Sequence, residues 1–185
     1  MESRWHPWHI MRTMLPVLLV LTVIELGSGL VLDSFEATLL RYPSLLVLVP
    51  VTIGMAGNLG SILAARLSTV VHLGLLSFEP DDELLVGNAV ATVALAVTLF
   101  PVVGAGAWLI QTVVGGTALP LHAVVAVALA SGAVLALLAV VVTLTATYAA
   151  YRFGLDPDDV VIPVVTNVCD VLGVVVLVLV VRLLI

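Results

Sequence analysis

Lysine is absent from this sequence of 185 residues, and apart from four histidines its basic side chains are six arginines. Charged residues make up only 10% of the chain, and twelve acids give it a formal net charge of −6. So few basic residues form no basic stripe, which argues against nucleic acid as a partner. A soluble domain of this length also needs far more charge to cover its surface. The shortage of charge therefore argues against an ordinary soluble domain.

Cysteine and the common catalytic motifs are scarce as well. The one cysteine, Cys169, lies in an apolar segment, and a single thiol cannot form a disulfide within the chain. The sequence contains no HExxH pair, no Gly-x-Ser-x-Gly elbow and no paired-aspartate motif. We therefore predict that the protein is not an enzyme.

Long hydrophobic runs are what the sequence has in abundance, with 62% of its residues hydrophobic. A helix needs about 20 mainly apolar residues to cross a hydrocarbon core of about 30 Å. Lipid offers no partners to open strands, so every span is predicted to be a helix. We predict an all-α, multi-pass protein of the cell membrane, with residues 1–14 as a short N-terminal segment and 15–185 as one transmembrane domain. Its five predicted spans are 15–32, 44–76, 84–110, 119–150 and 160–185.

The segments between the spans carry much of the charge. A polar loop is predicted at 33–41, and the span 44–76 is long enough to require a tilt, a kink or an interfacial end. An odd number of spans puts the two termini on opposite sides of the membrane. A cytoplasmic N-terminus places Arg4, Arg12 and Arg152 inside, which is the orientation that the positive-inside rule favours.

A carboxylate in the last span is the most informative single residue. Asp170 lies about ten residues into that span, near mid-bilayer, where a charge costs at least a few kcal/mol unless a cation, water or a partner stabilises it. Thr166, Asn167 and Gly173 share its helical face, and Pro163 lies a turn earlier and frees a backbone carbonyl. These are hard oxygen ligands, which suit Mg²⁺, Mn²⁺ or Ca²⁺. The alternative is a structural aspartate hydrogen-bonded to a neighbouring helix.

The second span carries a run of small residues. Gly54, Gly57 and Gly60 are spaced three apart, which allows close approach of another backbone or a local break whose carbonyls line an aqueous path. Asn58 lies on the same face as Gly54. Helix packing alone is an equally good interpretation of the glycines, and it accounts less well for Asn58.

The first span also contains an acid. Glu25 lies in its middle, where an ionisable group requires a partner or a function. It could bind a cation, carry a proton as part of a second ion or proton site, or form an ion pair with Arg66. The residues alone leave these alternatives open.

Two stretches together resemble a known family. Residues 50–69, PVTIGMAGNLGSILAARLST, look like the second transmembrane helix of the MgtE and solute-carrier-41 divalent cation transporters. Residues 156–170, DPDDVVIPVVTNVCD, resemble the start of their fifth helix. The resemblance covers nearly the whole chain as one five-helix transport domain. Only about 14 residues precede the first span, so we expect this domain without the cytosolic N and CBS domains that MgtE proteins usually carry.

The resemblance implies a cation path between two such units, and hence a C2 homodimer of this chain. It places the family's pore aspartate at Asp170, with Pro163, Thr166 and Asn167 near the ion path and Asn58 beside it. Asn167 stands where the family is expected to have Thr or Ser. The transported ion is then expected to be Mg²⁺, with Mn²⁺, Ca²⁺ or Co²⁺ as alternatives.

These observations predict a channel-like transporter of divalent cations in the lipid bilayer, with a pore lined by Asp170 at the interface of a homodimer. Two other interpretations stay open. One is an exchanger coupled to Na⁺ or H⁺, in which Glu25 serves the coupled ion. The other is a structural membrane subunit that transports nothing and uses its polar residues for helix packing.

Overall fold

The computed structural model describes residues 7–79, 81–116 and 118–185. Arg4, which entered the prediction of orientation, lies outside them. All helices but the second are long and apolar enough to cross a membrane, and within the first helix the stretch that qualifies is Met14–Asp33. The prediction of an all-helical chain with five spans is therefore confirmed. In chain order the helices are α1 (Pro7–Asp33), α2 (Glu36–Arg41), α3 (Pro43–His72), α4 (Glu83–Val114), α5 (Leu121–Phe153) and α6 (Pro157–Leu184).

The segment predicted as a polar loop after the first span folds instead as the short helix α2. Phe35 and Leu39, spaced four residues apart, are both buried in the core. Their burial holds this turn of helix against the bundle while Glu36 and Arg41 stay exposed. The prediction was wrong because it weighed the charged residues and overlooked the helical spacing of the apolar ones.

The second predicted span is shorter than expected, since α3 ends at His72. Gly74 has a φ of +67°, a left-handed conformation that glycine adopts without strain. The N–H of Gly74 donates to the carbonyl of Val71, and the N–H of Leu75 donates to that of Val70. These bonds satisfy carbonyls at the helix end, so the apolar residues 73–76 lie beyond the helix.

The acidic segment before α4 contains the cap of that helix. The Asp82 carboxylate accepts hydrogen bonds from the N–H groups of Leu84 at 2.9 Å and Leu85 at 3.1 Å. It also accepts from the N–H of Ser77 at 2.9 Å and from its hydroxyl at 2.8 Å. These bonds, that of the Ser77 N–H above all, stabilise the charged form and lower the pKa of Asp82. An ionised carboxylate at this helix start is also favoured by the helix dipole.

The helices α3 and α6 form the most extensive contact of the bundle. Helix α5 packs against both of them and against α4, while α1 packs on α6. Many large hydrophobic side chains remain exposed on α1 and α4, among them Leu26, Leu30 and Val102. Such exposure is costly in water and favourable in the hydrocarbon of a bilayer.

Candidate cation site

Asp170 lies in the middle of α6 and is half-buried, and its carboxylate meets the backbone of α3. Its Oδ1 atom is buried against Gly57, and a Cβ placed on Gly57 would lie 3.1 Å from the Asp170 Cγ. The described residues provide Oδ1 with no well-formed hydrogen bond. A carboxylate at this depth without a partner is costly, and the described residues offer its inner oxygen no hydrogen bond that would offset this cost.

Small residues allow the two helices to meet this closely. A Cβ on Gly60 would lie 2.7 Å from Val165 Cγ1, and one on Gly173 would lie 3.1 Å from the Cα of Ile53. We call the line of contacts made by Gly57, Gly60 and Gly173 the α3–α6 seam. The absence of side chains along the seam brings the Asp170 carboxylate directly onto the α3 backbone.

The polar neighbours of Asp170 on α6 are partly engaged within their own helix. The hydroxyl of Thr166 donates to the carbonyl of Ile162 at 2.8 Å, and the amide nitrogen of Asn167 donates to the carbonyl of Pro163 at 2.8 Å. Each bond uses a donor and leaves an oxygen with free lone pairs. Thr166 and Asn167 are both half-buried. Their oxygens therefore remain chemically able to accept a bond from a hydrated cation.

The polar residues of α3 point elsewhere. Gly54 and Asn58 are exposed at the surface of the protomer, and a Cβ on Gly54 would meet nothing within 4 Å. The backbone carbonyl of Asn58 accepts the hydroxyl of Ser61 at 3.1 Å. The protomer thus separates the seam glycines, which face α6, from Gly54 and Asn58, which face outward.

The structure brings a second acid to Asp170. Glu25 is half-buried on α1, on the side that also carries buried Leu21 and half-buried Ser28 at helical spacing, and α1 packs on α6. Glu25 and Asp170 therefore lie on two helices in contact, each near the middle of its span. The sequence interpretation missed this pair, because residues so far apart in the chain reveal no proximity until the packing of α1 on α6 is known.

The ion pair between Glu25 and Arg66, one of the alternatives drawn from the sequence, does not form. Arg66 lies on α3 and its Nε donates to the side-chain oxygen of Asn88 on α4. Over the described ranges, the one ion pair within 4.0 Å joins His72 and Asp156. Glu25 and Asp170 therefore have no basic partner in the part of the chain that the structure describes.

A further polar cluster joins the ends of the same two helices. The hydroxyl of Ser68 on α3 donates to the Asp158 carboxylate at 2.6 Å, and His72 Nε2 lies 3.6 Å from an Asp156 oxygen. Asp156 also caps α6 by accepting from the N–H of Asp158 at 3.1 Å. Ligand atoms of the histidine and the two aspartates lie within 4.8 Å of one another. His72 looked isolated in the sequence, because its neighbours belong to the last span.

These features define the class of protein: a multi-pass helical membrane protein with one acid on α1 and one on α6 that have no basic partner among the described residues. Comparison with known proteins gives the family. The MgtE family, described as divalent cation transporter, matches residues 49–180, well over half of the chain. The protein belongs to this MgtE/solute-carrier-41 family and forms a membrane domain of it.

A relative with a similar sequence is solute carrier family 41 member 3 of Rattus norvegicus. The two are 26% identical over 175 residues, which cover 90% of this chain and 38% of that protein. The chain therefore spans less than half of the length of this relative. No solved structure matches the chain.

Proposed function

We propose that this domain carries divalent cations, with Mg²⁺ preferred, across the cell membrane along a path that passes Asp170. Membership of the divalent cation transporter family supports the general activity. The observation that carries the assignment of the site is the half-buried Asp170 carboxylate, which has neither a hydrogen bond to its Oδ1 nor a basic partner among the described residues. We infer transport rather than catalysis as its role.

The cost of the buried charge supports a cation as its partner. A carboxylate in the middle of a span costs about 3 kcal/mol on insertion scales and more in a dry environment. Among the described residues, this cost is removed neither by a basic partner within 4.0 Å nor by a well-formed hydrogen bond to Oδ1. A cation that passes with part of its water shell neutralises the charge and keeps the site hydrated.

The ligand chemistry favours a hard divalent ion. Asp170, Thr166 and Asn167 offer carboxylate, hydroxyl and amide oxygens along one face of α6. Mg²⁺ binds oxygen, prefers octahedral geometry near 2.0–2.1 Å and sheds its water reluctantly. We therefore expect a largely hydrated ion that contacts the polar neighbours through water. Release remains fast because one carboxylate layer binds less tightly than a closed cage.

A second copy of the domain completes the path in this proposal. Asn58 exposes a polar amide on the outer face of α3, where a lone protomer would present it to lipid at a cost. Gly54, one turn earlier, leaves open space for another helix to approach. A C2 pair would cover both residues and bring the two Asp170 carboxylates to one axis, offsetting the charge of a divalent ion.

The orientation of the protein in the membrane is inferred from the positions of its few arginines. Arg12 precedes the span in α1 and Arg152 lies in the last turn of α5, so four crossings separate them and put both on one side of the membrane. We infer that this side is cytoplasmic, as the positive-inside rule favours. The N-terminus then lies in the cytoplasm.

Ion flux through the purified protein tests the proposal. Proteoliposomes containing the protein are expected to take up Mg²⁺, and to a lesser degree Mn²⁺, Ca²⁺ or Co²⁺, while Na⁺ alone produces no comparable flux. Uptake is measured with an enclosed fluorescent indicator, against liposomes without protein. Loss of all divalent flux from well-folded protein would instead support a structural subunit.

The same vesicles separate a channel from an exchanger. A channel responds to an imposed membrane potential without any other gradient, because the divalent ion alone carries the charge. Uptake that requires an opposing Na⁺ or H⁺ gradient would identify an exchanger and contradict the channel mechanism.

Cross-linking tests whether two copies of the domain pair through the outer face of α3. In a Cys169→Ala background, Asn58→Cys is expected to give a covalent dimer with a short thiol cross-linker, since Asn58 lies on the proposed interface. Val102, 69% exposed on α4, provides the control Val102→Cys, which is expected to stay monomeric. Efficient cross-linking through α4, with none through α3, would rule out the proposed interface.

A further inference from the structure

We propose that Glu25 of α1 is a second carboxylate of the Asp170 cation site, so that each copy of the domain presents two acids to one ion. This inference rests on the proposed function and deepens it. In this inference, Glu25 does not form a separate site for a coupled ion. It forms one composite site together with Asp170, between α1 and α6.

The packing of the bundle places the two acids on neighbouring helices. Glu25 lies on the side of α1 that is half-buried or buried, the side with Leu21 and Ser28, and α1 packs on α6. With five crossings, α1 and α6 run in the same direction through the bilayer. Glu25 is near the middle of the Met14–Asp33 span and Asp170 near the middle of α6, so both acids lie at similar depth.

Charge balance then favours a bound cation. Two like charges at membrane depth repel each other, and each also pays for its removal from water. The described arginines are engaged or distant: Arg66 bonds to Asn88, Arg41 lies over Tyr42, and Arg182 over Phe35. Arg12 and Arg152 lie towards the ends of their helices and are exposed. A cation shared between the acids removes both costs at once.

The partly open surroundings suit a hydrated ion. Neither Glu25 nor Asp170 is fully buried, whereas the inner oxygen of Asp170 is fixed against Gly57. The carboxylate is thereby held in place on its α3 side. Two carboxylates attract a divalent ion far more than a monovalent one, so Glu25 contributes to selectivity as well as to affinity.

The test uses four variants of the full chain. Glu25→Gln removes the charge, Glu25→Asp keeps it on a shorter side chain, and Asp170→Asn removes the first acid. Asp33→Asn is the matched control, because Asp33 is the exposed last residue of the same helix. Mg²⁺ uptake into proteoliposomes gives the half-saturating concentration. The rise in melting temperature on adding Mg²⁺ to purified protein reports binding without transport.

We expect Glu25→Gln to raise the half-saturating Mg²⁺ concentration about tenfold or more, because affinity follows the number of charged ligands. It should also reduce the Mg²⁺-dependent rise in melting temperature and the preference for Mg²⁺ over Na⁺. Glu25→Asp should retain part of each property, and Asp33→Asn should match the wild type. A purely structural role for Glu25 would change the melting temperature without Mg²⁺ and leave ion preference unchanged.

The outcomes distinguish this inference from the function on which it rests. If Glu25→Gln matches Asp33→Asn in affinity and preference while Asp170→Asn is inactive, the composite site is wrong and the Asp170 path stands. If Asp170→Asn also transports normally, the proposed path fails with it. Should Glu25→Gln not fold, Glu25→Ala takes its place as the variant without the charge, and wild-type affinity and preference in that variant would overturn the inference.

Discussion

Replacing Asp170 with asparagine is expected to abolish divalent cation uptake while the protein still folds and inserts into the membrane. The amide keeps the size of the side chain and its fit against Gly57 but removes the charge that offsets the ion. A loss of about 3 kcal/mol in ion stabilisation already lowers occupancy more than about 100-fold. Initial rates of Mg²⁺ uptake into proteoliposomes, at equal protein density, measure the effect.

The protein itself offers the control for this change. Asp159→Asn makes the same chemical replacement in the first turn of α6, where the side chain is exposed and outside the seam. It is expected to transport at nearly the wild-type rate. Size-exclusion chromatography should give the same elution for both variants, because the fold does not depend on the Asp170 charge. Normal uptake by Asp170→Asn would show that the ion path lies elsewhere.

The number of spans could be predicted from the sequence because lipid imposes one dominant rule. A run of about 20 apolar residues must be a helix, whatever the intrinsic preference of its valines for strands. Helix ends were less predictable, since they depend on local hydrogen bonds. The turn at Gly74 ends α3 at His72, so residues 73–76, which hydropathy alone assigns to the span, lie beyond the helix.

The candidate site, too, has one part that could be predicted from the sequence and one part that could not. Asp170 and its neighbours Thr166 and Asn167 lie within one helix, so their common face follows from helical periodicity. The contact of Asp170 with Gly57 and the packing of α1, which carries Glu25, on α6 join different helices and depend on how those helices pack. Apolar periodicity carries little information about packing when both lipid and protein neighbours are apolar.

Gly57→Ala is expected to disrupt the site by steric means alone. The added methyl group would lie 3.1 Å from the Asp170 Cγ and closer still to its inner oxygen, so the carboxylate must turn away or the helices must separate. Overpacking of this kind costs about 1–3 kcal/mol. We expect Mg²⁺ uptake to fall severely and the melting temperature to decrease. Gly87→Ala on α4 is the matched control, because a Cβ there meets nothing within 4 Å.

A double-mutant comparison assigns the effect to the contact with Asp170. If the methyl group acts through the carboxylate, Gly57→Ala should destabilise the wild type but cost much less in an Asp170→Ala background, where the obstructing group is gone. Equal destabilisation in both backgrounds would instead attribute the effect to general packing of α3. Wild-type uptake by Gly57→Ala would contradict the arrangement itself, since an ion site that includes Asp170 in its present position cannot tolerate that methyl group. The glycine is therefore as much a requirement of the cation site as the acid that it accommodates.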